Sequence, residues 1–320
     1  MGEGPDDYIH CVELKKREGL PKLVLVHGYG AGGGVFYRII NDLADYFHLF
    51  VVDLLGMGSS GRPTFEAPSV ELAEDFFVNS LKQFIDLTLK GEKFFLAGHS
   101  LGGYLAAVYA LRYEDDLLKL LLLSPVGLPE KPDDFTHQEI VDRFDTWKGR
   151  TYAKAAMYLW DKKVTPFGPM RAMGSWGTKA FLNFYLKNRM DAITDKAERK
   201  EMKRYLHQIF LRPASGEHAI SSILEPGSWA RKPLFNRIQT LQTIDVSFFY
   251  GDRDWMDPAA AIHITESQML KGSRLYFIQD ADHHLYLDNP RDTIYKLLLD
   301  VFGEETAARY QGGAERTQAT

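Results

Sequence analysis

The chain has 320 residues, 45% of them hydrophobic and 25% charged, an ordinary globular mixture with enough apolar residues for a sizeable core. Its formal net charge of −5 at pH 7 and the lack of any binding motif argue against nucleic acid as a partner. The one cysteine, Cys11, excludes an intrachain disulfide and points to a reducing compartment, and no apolar run approaches the roughly 20 residues of a membrane span, so membrane contact is expected to be peripheral.

Residues 1–7 are acidic and lack an apolar core, which fits neither a secretory signal nor an arginine-rich transit segment. Residues 8–20 predict one short strand and a turn. Lys22-Leu23-Val24-Leu25-Val26 has the pattern of a strand buried on both faces. It runs into the glycine-rich His27-Gly28-Tyr29-Gly30-Ala31, after which a helix is expected over 35–46. A second buried strand, 49–52, leads to the turn-rich 53–63. Residues 70–89 read as an amphipathic helix, 94–97 as a strand, and 118–123 as a further buried strand closed by Ser124-Pro125. This alternation places the chain in the α/β class, with a mostly parallel central sheet and helices on both faces. From 126 to 240 helical periodicity takes over, broken at Pro166, Gly168, Gly174 and Pro213. Strands resume at 246–250 and 275–278, and a last helix is expected over 293–302. The expected organisation is a core over 8–125, a helical cap over 126–240 inserted after the strand ending near Ser124, a second core part over 241–302, and a disordered tail over 303–320.

The chemistry centres on Phe94-Phe95-Leu96-Ala97-Gly98-His99-Ser100-Leu101-Gly102, an apolar strand ending in Gly-x-Ser-x-Gly, with a helix-like run behind it. A serine at such an apex has strained backbone angles. Side chains at Gly98 and Gly102 would collide with the neighbouring chain, and the hydroxyl stands clear of the sheet beside a helix N-terminus. A nucleophilic serine needs a base and a group that orients the base. Carboxylates follow the resumed strand, at Asp252, Asp254 and Asp257, and histidines follow the last strand, at His283 and His284. Gly251-x-x-Asp254-x-x-x-Pro258 resembles the acid turn that follows this strand in many hydrolases, which favours Asp254, with Asp252 and Asp257 as competitors. The spacing to Asp288-Asn289-Pro290 resembles that of the same hydrolases and favours His283 over His284. The order Ser100, Asp254, His283, each at a strand's C-terminal end, is that of the α/β-hydrolase fold. The oxyanion donors are expected to be the N–H groups of Leu101 and Tyr29, the latter held by the Gly28 and Gly30 loop.

Leu25-Val26-His27-Gly28-Tyr29-Gly30-Ala31, the loop over 52–63, Gly98-His99-Ser100-Leu101-Gly102-Gly103-Tyr104, Thr165-Pro166-Phe167-Gly168-Pro169, Trp229-Ala230-Arg231-Lys232-Pro233-Leu234 and His283-x4-Asp288-Asn289-Pro290 together resemble one α/β-hydrolase subfamily. It contains the co-activator of adipose triglyceride lipase, the lysophospholipase acting on N-acyl phosphatidylethanolamine, a fungal cardiolipin deacylase and plant relatives. The likeness covers roughly residues 20–302. It implies a phospholipid acyl-ester substrate and a working hydrolase, since Ser100 stands where the lipase co-activator lacks its serine. It also implies a lysophosphatidic acid acyltransferase side activity carried by His283 and Asp288, for which an acyl-enzyme on Ser100 offers a simpler route.

Charge is uneven along the chain. Residues 126–240 hold 20 Lys and Arg against 13 Asp and Glu, and four of the five tryptophans, Trp147, Trp160, Trp176 and Trp229. A basic, aromatic lid suits an anionic membrane or lipid-droplet surface, with Trp229, Arg231 and Lys232 as expected lipid contacts. No metal-ligand cluster, dinucleotide fingerprint or phosphate loop occurs, so no cofactor or metal is expected. The expected setting is intracellular, either cytoplasmic with peripheral membrane or lipid-droplet association, or mitochondrial if a targeting segment has been removed. The reading that follows is a serine hydrolase of (phospho)lipid acyl esters. Its rivals are a soluble small-ester carboxylesterase and a lipid-binding scaffold with little activity.

Overall fold

Seven runs of the sequence become the strands of one sheet in the computed structural model, which describes residues 7–318. They are β1 (Cys11–Leu14), β2 (Lys22–Val26), β3 (His48–Val52), β4 (Phe94–His99), β5 (Leu117–Leu123), β6 (Asp245–Gly251) and β7 (Arg274–Ile278). Their order across the sheet is β1-β3-β2-β4-β5-β6-β7. Only β1 runs antiparallel to its neighbour. The central strands are covered on both faces, which is why they read as unbroken apolar runs rather than alternating ones. Alternate side chains of β2 feed two separate cores. Val24 and Val26 join the helices α2 (Val70–Leu89) and α3 (Leu101–Arg112) on one face. Leu23 and Leu25 join α1 (Tyr37–Leu43) on the other. The helix expected over 35–46 is divided: a 3-10 turn, Gly33–Phe36, precedes α1.

Between β5 and β6 the chain builds α4 (His137–Asp142), α5 (Trp147–Asp161), α6 (Phe167–Ala172), α7 (Gly174–Arg189), α8 (Lys196–Phe210), α9 (Ala219–Ile223) and α10 (Leu234–Ile238). The one strand-like feature among them is an isolated bridge between Leu224 and Ala230. Phe167, Met170, Leu182 and Leu186 bring α6 and α7 into the same apolar cluster as α1. The rear of the insertion, in contrast, lies down on α2. Ser222 Oγ donates to the Ala67 carbonyl at 2.8 Å, and Arg237 reaches the buried Glu74 at 2.8 Å.

After β6 come α11 (Ala259–Glu266), α12 (Leu285–Asp288), α13 (Pro290–Phe302) and α14 (Glu304–Gln318). The last corrects the disordered tail expected over 303–320 as far as Gln318, residues 319–320 lying outside the described residues. Gly303, at φ 84°, turns the chain, and α14 then packs back on the core. Ala307 is fully buried, and three residues on, the Tyr310 hydroxyl donates to Asp42 at 3.3 Å while its ring meets that of Tyr46. The pair marks one helical face, but Gly312-Gly313 and the polar residues around it mask the periodicity in the sequence.

Candidate active site

Ser100 sits at the apex between β4 and α3 with φ 55° and ψ −117°, a region that side-chain-bearing residues avoid. Two glycines permit the turn. A Cβ on Gly98 would overlap the Gly102 carbonyl, and a Cβ on Gly102 would overlap the carbonyls of Val26 and His27. The apex is tied to the end of β5: Ser100 N donates to Leu123 O at 2.9 Å, and Val126 N to Ser100 O at 3.2 Å.

The loops after β6 and β7 meet beside it, because those strands are neighbours in the sheet. His283 Nδ1 lies 3.1 Å from Asp254 Oδ1, so the ring donates through Nδ1–H and keeps Nε2 as the basic nitrogen. Ser100 and His283 line the same cavity. Among the described residues no hydrogen bond closes between them. Burial pushes the Asp254 carboxyl up. Its bond to His283, the nearby Ser124 hydroxyl and the Met256 N–H at 2.9 Å outweigh that and hold it below the ordinary carboxylate value. The competing acids are engaged elsewhere. Asp252 accepts the amides of Asp280 and Ala281, and Asp257 accepts that of Ala259 at the start of α11.

Gly28, Tyr29 and Leu101 line the cavity with Ser100. Among the described residues neither the Tyr29 nor the Leu101 amide donates to another protein group, so both are available to an oxyanion. Buried His27 fixes this loop. Its Nε2 accepts from Leu54 N at 3.0 Å, which assigns the proton to Nδ1, donated to Gly28 O at 2.8 Å. Gly30, at φ 63°, passes under the Phe167 ring, and Phe167 stacks on Tyr29 at 5.5 Å.

The cavity measures about 340 Å³ and is mostly apolar, walled by core and cap together through Val126, Phe181, Ile220 and Leu224. That volume and lining suit a small apolar ligand or one acyl chain. Several residues here carried no signal in the sequence beyond their adjacency to a motif. His99, the variable residue of Gly-x-Ser-x-Gly, donates from Nε2 to the His283 carbonyl at 2.9 Å and so holds the His283 loop against β4. Trp255, next to Asp254, packs its ring 4.9 Å from that of His283. Ser124, buried at φ 45°, faces Asp254 from the end of β5 with its hydroxyl outside closed hydrogen-bond geometry. His284 also lines the cavity, but burial and the charge of His283 lower its pKa to about 3, which keeps it neutral.

Four expected positions stand apart from the pocket chemistry. Asp288 accepts the Asp282 amide at 2.9 Å, and the partner of His283 is Asp254 rather than Asp288. Arg231 pairs with Glu225 at 3.5 Å, and Lys232 with Glu71 on α2 at 2.6 Å, so these two charges bind the cap to itself and to the core instead of forming a free cationic face. Trp229 packs edge-on against Phe135 at 5.5 Å.

Residues 21–290 match the family model of the alpha/beta hydrolase fold. The chain belongs to the α/β-hydrolase family. Over 289 residues it is 32% identical to the 1-acylglycerol-3-phosphate O-acyltransferase of Arabidopsis thaliana, spanning 88% of this chain and 67% of that protein. Over 272 residues it is 30% identical to the (lyso)-N-acylphosphatidylethanolamine lipase of Bos taurus, spanning 84% and 75%. A carboxylesterase from Bacillus subtilis superposes with a TM-score of 0.61 at 16% identity, over 92% of this chain and 88% of that one, a likeness of fold alone. About a third of its aligned residues are thus shared with these lipid-related relatives.

Proposed function

We propose that the protein is a serine hydrolase of (phospho)lipid acyl esters. The observation that carries the reading is that His283, paired with Asp254 at 3.1 Å, opens with Ser100 on one apolar cavity. In this mechanism Ser100 Oγ attacks the ester carbonyl as His283 Nε2 takes its proton. The oxyanion rests on the amides of Leu101 and Tyr29. His283 returns the proton to the departing alcohol oxygen, and Asp254 stabilises the imidazolium without itself taking the proton. Water then attacks the acyl-enzyme by the same route in reverse. A lysophospholipid hydroxyl in place of water gives acyl transfer, the activity in the name of the Arabidopsis relative. One histidine serves both outcomes, and Asp288 is not required for either.

Exposed cap aromatics support an interfacial site of action. Trp147 on α5 is 73% exposed and Trp176 on α7 is 75% exposed, on the most basic part of the chain. Such side chains seat at the headgroup level of a bilayer or droplet. Among the described residues no helix is long and apolar enough to cross a membrane.

The test is acyl-chain release from phospholipid vesicles of defined headgroup, cardiolipin included, with wild type beside Ser100→Ala. Serine-dependent release sustains the reading and names the headgroup. Hydrolysis of short soluble esters alone moves the substrate to small esters. Tight vesicle binding with neither activity, and no labelling by a serine-reactive fluorophosphonate, makes the protein a scaffold.

A further inference from the structure

The groups described so far handle the acyl carbonyl and say nothing about what the leaving alcohol carries. Among the residues lining the cavity, one side chain other than the histidines bears a charge: Arg189, the last residue of α7. Its guanidinium lies over the Trp255 ring, 5.1 Å from the centroid, and that ring is the one packed against His283. Its backbone is held as well, since the His284 imidazole is hydrogen-bonded to the Arg189 main chain. The charge is felt inside the cavity: it adds to burial and the His283 charge in lowering His284, and it opposes the burial that raises the Tyr185 hydroxyl.

Three other arginines of the cap are neutralised: Arg171 by Glu217, Arg231 by Glu225, Arg237 by Glu74. Among the described residues no carboxylate pairs with Arg189, and its one ring contact is an indole. Stacking on an aromatic face orders a guanidinium while leaving its in-plane N–H groups free, the arrangement that accepts two oxygens of a phosphate at once. Ordering a guanidinium costs side-chain entropy that the indole contact offsets, and the in-plane N–H groups left open at the cavity edge are completed by an anion.

We propose that Arg189 is the phosphate subsite of this cavity, reading a phosphate on the glycerol of a lipid whose ester carbonyl is held at Ser100. The assignment rests on the lipid-ester reading above. It makes the favoured substrate an acyl glycerol phosphate or a phospholipid rather than a neutral glyceride. The phosphate lies on the α7 side of the cavity, next to Trp255, and the acyl chain on the side of Val126 and Leu224.

The experiment compares two monoacyl glycerols identical but for a phosphate on the glycerol, with an acyl chain short enough to remain monomeric, so that surface docking plays no part. The readout is the ratio of kcat/KM for the phosphorylated ester to that for the neutral one, measured for wild type, Arg189→Ala, Arg189→Glu and Arg189→Lys. Damage to folding or to the triad affects both substrates and cancels in the ratio. Wild type should favour the phosphorylated ester by about tenfold, the worth of a charge-assisted pair at a half-open site. Arg189→Ala should bring the ratio close to one, Arg189→Glu should invert it, Arg189→Lys should keep part of it, and added salt should erode it in wild type but not in Arg189→Ala. A ratio that is the same in all four proteins overturns the assignment and leaves the lipid-ester reading standing. Absence of Ser100-dependent cleavage of both glycerol esters, in a protein that still cleaves an aryl ester, overturns the lipid-ester reading and the assignment with it.

Discussion

Replacing Ser100 by glycine should make the protein inactive and more stable, whereas alanine should make it inactive only. The apex residue is held at φ 55° and ψ −117°. A Cβ in such a region costs on the order of 1–3 kcal/mol. Alanine keeps the Cβ and therefore the strain, and loses only a hydroxyl that closes no bond with His283. Glycine removes the strain but loosens the unfolded chain, which offsets roughly 0.5–1 kcal/mol. The net expectation is that Ser100→Gly is about 1 kcal/mol more stable than Ser100→Ala, a rise in Tm of roughly 2 °C for a protein of this size. Urea unfolding of wild type, Ser100→Ala and Ser100→Gly, followed by thermal melts, measures the difference, and equal m-values show that the same surface unfolds in each. The reasoning is refuted if Ser100→Gly unfolds at or below the midpoint of Ser100→Ala. That result would mean the turn stores no strain at the nucleophile, and that stability is not being given up there for an exposed hydroxyl.

Asp254→Asn should lower kcat by roughly a thousandfold or more, since an amide favours the wrong imidazole tautomer and cannot stabilise the imidazolium. Because the folded-state carboxyl lies below its ordinary value, its stabilising contribution is present above the unfolded value near 4 and is lost as pH falls through the folded value. The stability advantage of wild type over Asp254→Asn should therefore be full at pH 7 and shrink in acid, as read by denaturation midpoints. Asp288 has the opposite sign: burial first, then Asp282 and Asp191, raise it to about 6, so folding is penalised as pH rises from about 4 through 6. Asp288→Asn should raise the midpoint at pH 7.5 and not at pH 4, while Ser100-dependent hydrolysis stays within about threefold of wild type. A loss of activity as deep as that of Asp254→Asn would place Asp288 in the triad. Trp147→Ala with Trp176→Ala should weaken binding to anionic vesicles by roughly thirtyfold or more in a flotation assay, each buried ring being worth about 1–2 kcal/mol. Reversing Arg231 and Lys232 should instead lower stability through Glu225 and Glu71.

The strand pattern, the helix over 70–89 and the serine apex were legible because each is a local signal. A buried parallel strand must be apolar on both faces, an amphipathic helix must repeat near 3.6, and a turn as tight as that at Ser100 admits only glycine on either side. The α14 helix was not legible, because its burial depends on two residues, Ala307 and Tyr310, meeting α1 and Tyr46 from a polar sequence.

The sequence by itself determined the α/β class, the insertion between two parts of the core, and the chain order of a serine, a loop of three acids and a pair of histidines. The tertiary structure decided which polar groups meet. The register of β6 against β7 carries Asp254, and not Asp252 or Asp257, to His283. The fold of the cap pairs Arg231 with Glu225, its lie on α2 pairs Lys232 with Glu71, and the fall of α7 over Trp255 brings Arg189 into the cavity. The division has one cause. Periodicity and turn chemistry are set by neighbours along the chain, whereas a charge takes its meaning from whatever the fold places opposite it.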